Sequence, residues 1–132
     1  MRARLTYLTL ALGTIMLGLI VHFRGAWLGR VPRDVVGDVL WAAMIAWLVA
    51  AIAPHLSLGA RSAVAIAICF AVELSQLYHA PFIDRLRQTT AGQLTLGSGF
   101  DVRDLFAYGI GVLLAALVDR WRRGARESGE QN

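Results

Sequence analysis

Carboxylates, an amide and a phenol interrupt the apolar stretches of this sequence at spacings that suit a shared site. Glu73 and Gln76 stand three residues apart in one stretch, and Asp104 and Tyr108 stand four apart in another. Residues with these spacings lie on one face of a helix. An ionisable side chain in apolar surroundings is costly unless it has a partner. Each of these groups is therefore a candidate either for ligand binding or for a hydrogen bond between helices.

Two further elements supply candidates. Asp38 follows Gly37 at the beginning of another apolar stretch, and Arg85 and Arg87 lie in the longest polar connection. An arginine binds anionic groups through paired hydrogen bonds, and carboxylates orient a ligand or accept its donors. The candidate ligand-binding residues are Asp38, Glu73, Gln76, Arg87, Asp104 and Tyr108.

The elements that position these residues are four apolar blocks. Hydrophobic residues make up 57% of the chain, and its mean hydropathy is +0.56, whereas a soluble domain contains about 45–50% apolar residues. The blocks cover about 5–23, 36–53, 61–79 and 101–118. Each is close to the ~20 residues that cross a bilayer as a helix. We predict an all-α fold, a four-helix transmembrane bundle. It forms a single membrane domain over 1–119, with a short polar, Arg-rich tail over 120–132.

The order of the spans brings the candidates together. In such a bundle the second helix begins, the third ends and the fourth begins at the same membrane surface. The carboxylates, the amide and the phenol therefore lie in one half of the bilayer. The arginine-bearing connection closes over that side. The alternative is structural: buried polar side chains also fix helix register through hydrogen bonds, and Asp38 or Asp101 could cap a helix.

The charges and the residue types of the chain argue against nucleic-acid binding and against a metal site. The net charge is +4, and all the basic residues are arginines next to the spans or at the chain ends, so no basic stripe is left for nucleic acid. A single cysteine excludes an internal disulfide, and the histidines lack metal-ligand spacing. We expect no metal and no cofactor. Seven arginines on the side of the termini against six on the other favour cytoplasmic termini.

An ordered set of motifs gives a family resemblance. The motifs are GDVLW at 37–41, VELSQLY at 72–78, RQT at 87–89, LGSGF at 96–100, and DLFAY at 104–108 with Gly111. The set resembles a family of small bacterial inner-membrane proteins catalogued as a domain of unknown function (DUF2809), over about 5–119. The chain is more remotely similar to the VanZ-like proteins linked to glycopeptide resistance, which commonly carry Asn where Tyr108 stands. The resemblance implies a membrane location and implies no activity.

Three hypotheses for the function follow. The first is a multi-pass protein of the bacterial inner membrane whose outward-facing cluster binds a lipid headgroup or a cell-envelope precursor. The second is a non-catalytic scaffold, in which the cluster locks the bundle and the surface recruits a second copy or a partner membrane protein. The third is an enzyme on a lipid-linked substrate, with Glu73 or Asp104 as a base of raised pKa. Whether the chain is an enzyme stays open, and a non-enzyme is favoured.

Overall fold

A computed structural model describes residues 2–75, 77, 81–92 and 101–129. The described residues form helices joined by short connections, with no strand among them, so the predicted all-α fold is confirmed. The helices are α1 (Arg2–Arg24), α2 (Arg30–Ile52), α3 (Leu58–Ser75), α4 (Pro81–Arg87) and α5 (Val102–Gly129). A single 3₁₀ turn, Gly25–Leu28, links α1 to α2.

Helix α2 lies at the centre of the bundle. It packs against α1, α3 and α5, and α3 also packs against α5. The buried interior is built mainly from small residues and a few rings, in two clusters around Trp47 and Tyr108. Small residues let helix backbones approach closely, as is typical of packing within a membrane. Large apolar side chains such as Leu12, Ile20 and Leu113 point outward instead, which suits a lipid environment.

Helices α2 and α5 approach each other closely at Gly111. A Cβ atom added there would overlap the carbonyl oxygen of Val39 and would lie 2.8 Å from Cβ of Ala42. Only glycine fits this crossing without a shift of the backbone. Gly109, two residues earlier, has open space in place of a side chain. The helix crossing therefore requires glycine at 111 and does not require it at 109.

Helix α2 begins six residues before the predicted start at 36. Gly29 precedes it with φ of 81°, a conformation that glycine adopts without strain. Pro32 lies in the first turn of the helix, where its missing N–H is one of the donors that would have no partner in the helix. Asp34 therefore lies inside α2 and not at its beginning. At α3 a side-chain cap is present, since the Ser57 hydroxyl accepts the N–H of Ala60 at 3.2 Å.

Two further boundaries differ from the prediction. The connection after the third span, expected to be irregular, contains the short helix α4, which opens on Pro81 as a first-turn residue. Helix α5 continues beyond the predicted end at 118, through most of the Arg-rich tail, to Gly129. The predicted end of the third span at 79 falls outside the described residues, and α3 ends at Ser75.

Three described helices are long and apolar enough to cross a membrane: Ala3–Leu28, which includes the 3₁₀ turn, Arg30–Ile52 and Leu58–Ser75. Together they indicate a membrane protein. Helix α5 carries charged residues at both ends of an uncharged stretch of 14 residues, 105–118, which spans about 21 Å at 1.5 Å per residue. The fourth span stays a prediction, although α5 packs against α2 and α3 as part of the same bundle.

Candidate functional site

Four of the six candidate residues come together from three helices. Asp38 comes from α2, Glu73 from α3, and Asp104 and Tyr108 from α5; together they are called the polar cluster below. Their carboxyl groups are close enough for their charges to interact, and the Tyr108 hydroxyl contacts Glu73. The cluster lies where α2 begins, α3 ends and α5 begins, as the order of the helices requires.

Glu73 is the structural centre of the polar cluster. Its side chain is fully buried. Oε2 accepts the hydroxyl proton of Tyr108 at 3.0 Å, and Oε1 accepts the backbone N–H of Asp101 at 2.8 Å. Both oxygens therefore hold α3 against the beginning of α5. Bonds of this kind between membrane helices contribute about 0.6–2 kcal/mol each.

Asp101 fixes the beginning of α5 from the other direction. Its Oδ1 accepts the backbone N–H of Arg103 at 2.9 Å, which is the geometry of an N-cap. Its Oδ2 also pairs with Nη2 of Arg103 at 2.5 Å, on the exposed side of the helix. The interpretation of Asp101 as a cap is confirmed. Arg103 is committed to this exposed pair.

Asp38 and Asp104 form the second part of the polar cluster, and both side chains are half-buried. Their carboxyl groups lie close enough for their charges to interact across α2 and α5. Asp38 lies well inside α2, so its interpretation as a helix cap is wrong. This pair keeps part of its surface open, which Glu73 does not.

The two remaining candidates are Gln76 and Arg87. Gln76 and the side chain of Arg87 lie outside the described residues, and the role predicted for each stays a prediction. Within the described part of the chain, the His, Cys, Asp and Glu side chains do not gather into a group of three able to hold a metal ion. The arrangement of the polar cluster suits a ligand that offers hydrogen-bond donors.

A second set of charged residues, missed by the sequence analysis, lies at the opposite end of the bundle. It consists of Tyr7, Arg61, Asp119 and Arg123, called the terminal cluster below. Asp119 Oδ1 accepts the Tyr7 hydroxyl proton at 2.7 Å, and Oδ2 pairs with Arg61 Nη2 at 2.8 Å and Arg123 Nη2 at 3.0 Å. The Tyr7 ring also stacks on Trp47, with centroids 6.2 Å apart. The terminal cluster therefore joins α1, α3 and α5.

The charge on Asp119 is held in place by its partners. Burial by itself favours the neutral acid, but the Tyr7 hydrogen bond and the Arg123 and Arg61 guanidiniums outweigh it and hold the pKa of Asp119 below its ordinary value. One signal in the sequence could have found this cluster. Asp119 is the only acidic residue adjoining the apolar blocks on the side of the termini, where the other charges are arginines.

Comparison with known proteins gives one family. Residues 27–112 match the model of a family described as a protein of unknown function, DUF2809. The matched region contains the whole polar cluster, whereas Tyr7, Asp119 and Arg123 of the terminal cluster lie outside it. No solved structure matches the chain significantly.

Proposed function

This chain belongs to the DUF2809 family of proteins of unknown function, and we propose that it is a multi-pass protein of the bacterial inner membrane that binds a lipid headgroup or a cell-envelope precursor. The polar cluster is the proposed binding site. In this proposal the two termini of the protein face the cytoplasm, and the polar cluster therefore faces the outer side of the membrane. The slight excess of arginines on the side of the termini supports that orientation.

The observation that carries the proposal is the half-buried pair of Asp38 and Asp104. Two carboxyl groups side by side in an apolar bundle repel each other once both are ionised, so the pair costs stability. Glu73 makes the helix-joining bonds at this end of the bundle. The pair is therefore not needed for those contacts, and groups held at a cost to stability are a mark of function.

The chemistry of the pair defines the ligand class. A ligand ammonium or hydroxyl group beside the pair can donate to both carboxylates, and such charge-assisted hydrogen bonds are strong. Lipid headgroups and lipid-linked precursors carry donors of this kind beside a phosphate. In the proposal Arg87 holds the anionic part together with Arg85, whereas Arg103 is already paired with Asp101. Asp104 lies in the first turn of α5 and Asp38 two turns inside α2, so the pair lies toward one end of the bundle.

A scaffold function is the second candidate, and one observation favours it. Both carboxylate oxygens of Glu73 accept hydrogen bonds from the beginning of α5. These bonds hold α3 and α5 together, which is the role that a structural cluster would have. If Asp38 and Asp104 have the same structural role, the cluster has no ligand, and the protein acts through its surface on partner membrane proteins or on a second copy of itself.

Native mass spectrometry of the full chain, extracted gently from membranes, tests the proposal. We expect a lipid-sized adduct on the wild type and its loss in the double variant Asp38→Asn/Asp104→Asn, because an amide pair no longer offers charge to a donor. Asp34→Asn is the matched control, since Asp34 lies one turn earlier on α2 and its side chain is 58% exposed. It should keep the adduct. Lipid binding at this pair would be contradicted if the wild type carried no lipid-sized adduct. It would also be contradicted if the control and the double variant carried the adduct to the same extent.

A further inference from the structure

A buried arginine with spare donors lies in the terminal cluster, at the end of the bundle opposite the proposed binding site. The side chain of Arg61 is 3% exposed, and its Nη2 pairs with Asp119. Its Nε and Nη1 atoms are buried and have no hydrogen-bond partner among the described residues. A buried donor without a partner destabilises the fold. Among the described residues, the Nε and Nη1 atoms of Arg61 are the buried side-chain donors that lack one.

A cleft of about 20 Å³ lies beside this arginine, between α2, α3 and α5. Arg61, Asp119 and Ser62 supply its polar lining, and Trp47 and several alanines complete the wall. A cavity of this size holds one water-sized group. It therefore accommodates a single oxygen atom of a ligand, and the remainder of that ligand must lie outside the cleft.

The charges of the side chains near the cleft favour a negatively charged oxygen over the oxygen of a neutral water. Arg61 and Arg123 both pair with Asp119, and the Arg122 guanidinium lies 5.8 Å from the centre of the Tyr7 ring. The two guanidiniums that pair with this carboxylate leave a formal charge of +1 on the ion-paired group, and Arg122 adds a further positive charge near Tyr7. A neutral water satisfies a donor without balancing that charge, whereas an oxyanion does both.

We propose that this cleft binds one oxygen of a phosphate-type oxyanion through the free N–H groups of Arg61, next to Arg123, which pairs with the same carboxylate. Arg61 lies in the first turn of α3 and Arg123 beyond the apolar stretch of α5, so the cleft lies at the depth of headgroup phosphates. Two sources supply this chemistry: a phospholipid of the leaflet on the side of the termini, and free phosphate. The site is independent of the polar cluster, which lies at the opposite membrane surface.

Thermal unfolding of the full chain in an uncharged detergent tests the site. Dioleoylphosphatidylglycerol should raise the midpoint of the wild type, and dioleoylglycerol, which lacks the phosphate, should not. In Arg61→Lys, which keeps the charge but loses donors, the lipid concentration for half of the shift should rise at least about tenfold. Inorganic phosphate that reproduces the shift identifies a soluble oxyanion as the ligand. Phosphate without effect identifies the lipid.

A second pair of variants keeps the test independent of Arg61 and its ion pair. Ser62→Leu fills the cleft and leaves Arg61 in place, and it should weaken the response as Arg61→Lys does. Ala63→Leu, on the exposed face of the same helix, should respond like the wild type. The proposal is overturned if neither phosphatidylglycerol nor phosphate shifts the wild type. It is equally overturned if Arg61→Lys and Ser62→Leu respond at the wild-type concentrations.

Discussion

Replacing Gly111 by alanine is expected to lower the free energy of unfolding by about 1–3 kcal/mol, the usual cost of overpacking a close-packed interior. The new methyl group would overlap the carbonyl oxygen of Val39 and lie 2.8 Å from Cβ of Ala42. Neither neighbour is the end of a flexible side chain, so α2 and α5 must move apart. Because α2 packs against every other long helix, the shift affects the whole bundle. Equilibrium unfolding in detergent measures the loss.

Gly109→Ala is the matched control for this substitution. It lies on the same helix, two residues away, and a Cβ atom there meets nothing within 4 Å. Alanine is the better helix former by about 1 kcal/mol, so this variant should be as stable as the wild type or slightly more stable. Equal effects of the two substitutions would show that the helices do not cross at Gly111 as the structure has them.

The largest loss of stability is expected for Asp119→Asn, at about 3–5 kcal/mol, the cost of removing one partner from a buried ion pair. Asp119 is 3% exposed and binds the buried guanidinium of Arg61. The amide cannot balance that charge. Replacing both partners, in Arg61→Met/Asp119→Leu, should recover part of the loss, since apolar residues of similar size substitute well for a buried pair.

The same residue sets a dependence on pH. The pKa of Asp119 is lower in the folded protein than in the unfolded chain, where an aspartate has a value of about 3.9. Its stabilising contribution is therefore complete above that value and is lost as the pH falls through the folded-state pKa. Asp119→Asn should lack this acid sensitivity.

Asp101→Asn provides the control for the buried pair. Asp101 also pairs with an arginine, but Arg103 is 63% exposed, and exposed pairs contribute little. This variant should unfold close to the wild type, because asparagine caps a helix about as well as aspartate. If the two substitutions cost the same, the terminal cluster is not the buried lock that the structure describes.

Much of the fold follows from residue order alone. Long apolar blocks separated by polar connections predict helices, and three of them are long and apolar enough to span a membrane. Boundaries were less predictable. Helix α2 begins before the apolar block that predicted it, because a proline such as Pro32 is tolerated in the first turn of a helix and the helix begins directly after Gly29. The short helix α4 was missed because its flanking residues are polar and typical of turns.

The two clusters differed in how visible they were. Glu73, Asp104 and Tyr108 stand inside apolar stretches, where a polar residue needs a reason, so their spacing identified them. Arg61 and Arg123 lie at the ends of the apolar blocks and resemble ordinary flanking charges. Their role depends on contacts with Asp119, which is 58 residues from Arg61 and 112 from Tyr7. Pairing over such distances depends on how the helices pack, which a periodic pattern does not contain.

In the proposed function the polar cluster divides into a structural pair, Glu73 with Tyr108, that joins α3 to α5, and a binding pair, Asp38 with Asp104. Thermal and equilibrium unfolding of Tyr108→Phe beside Asp104→Asn tests it most directly. Tyr108→Phe removes one hydroxyl and leaves a buried oxygen of Glu73 without that donor, so it should lose about 1–3 kcal/mol. Asp104→Asn removes a repulsive charge beside Asp38, so its stability should be unchanged or raised. A clear loss in both variants would contradict the division and make the whole cluster a structural lock.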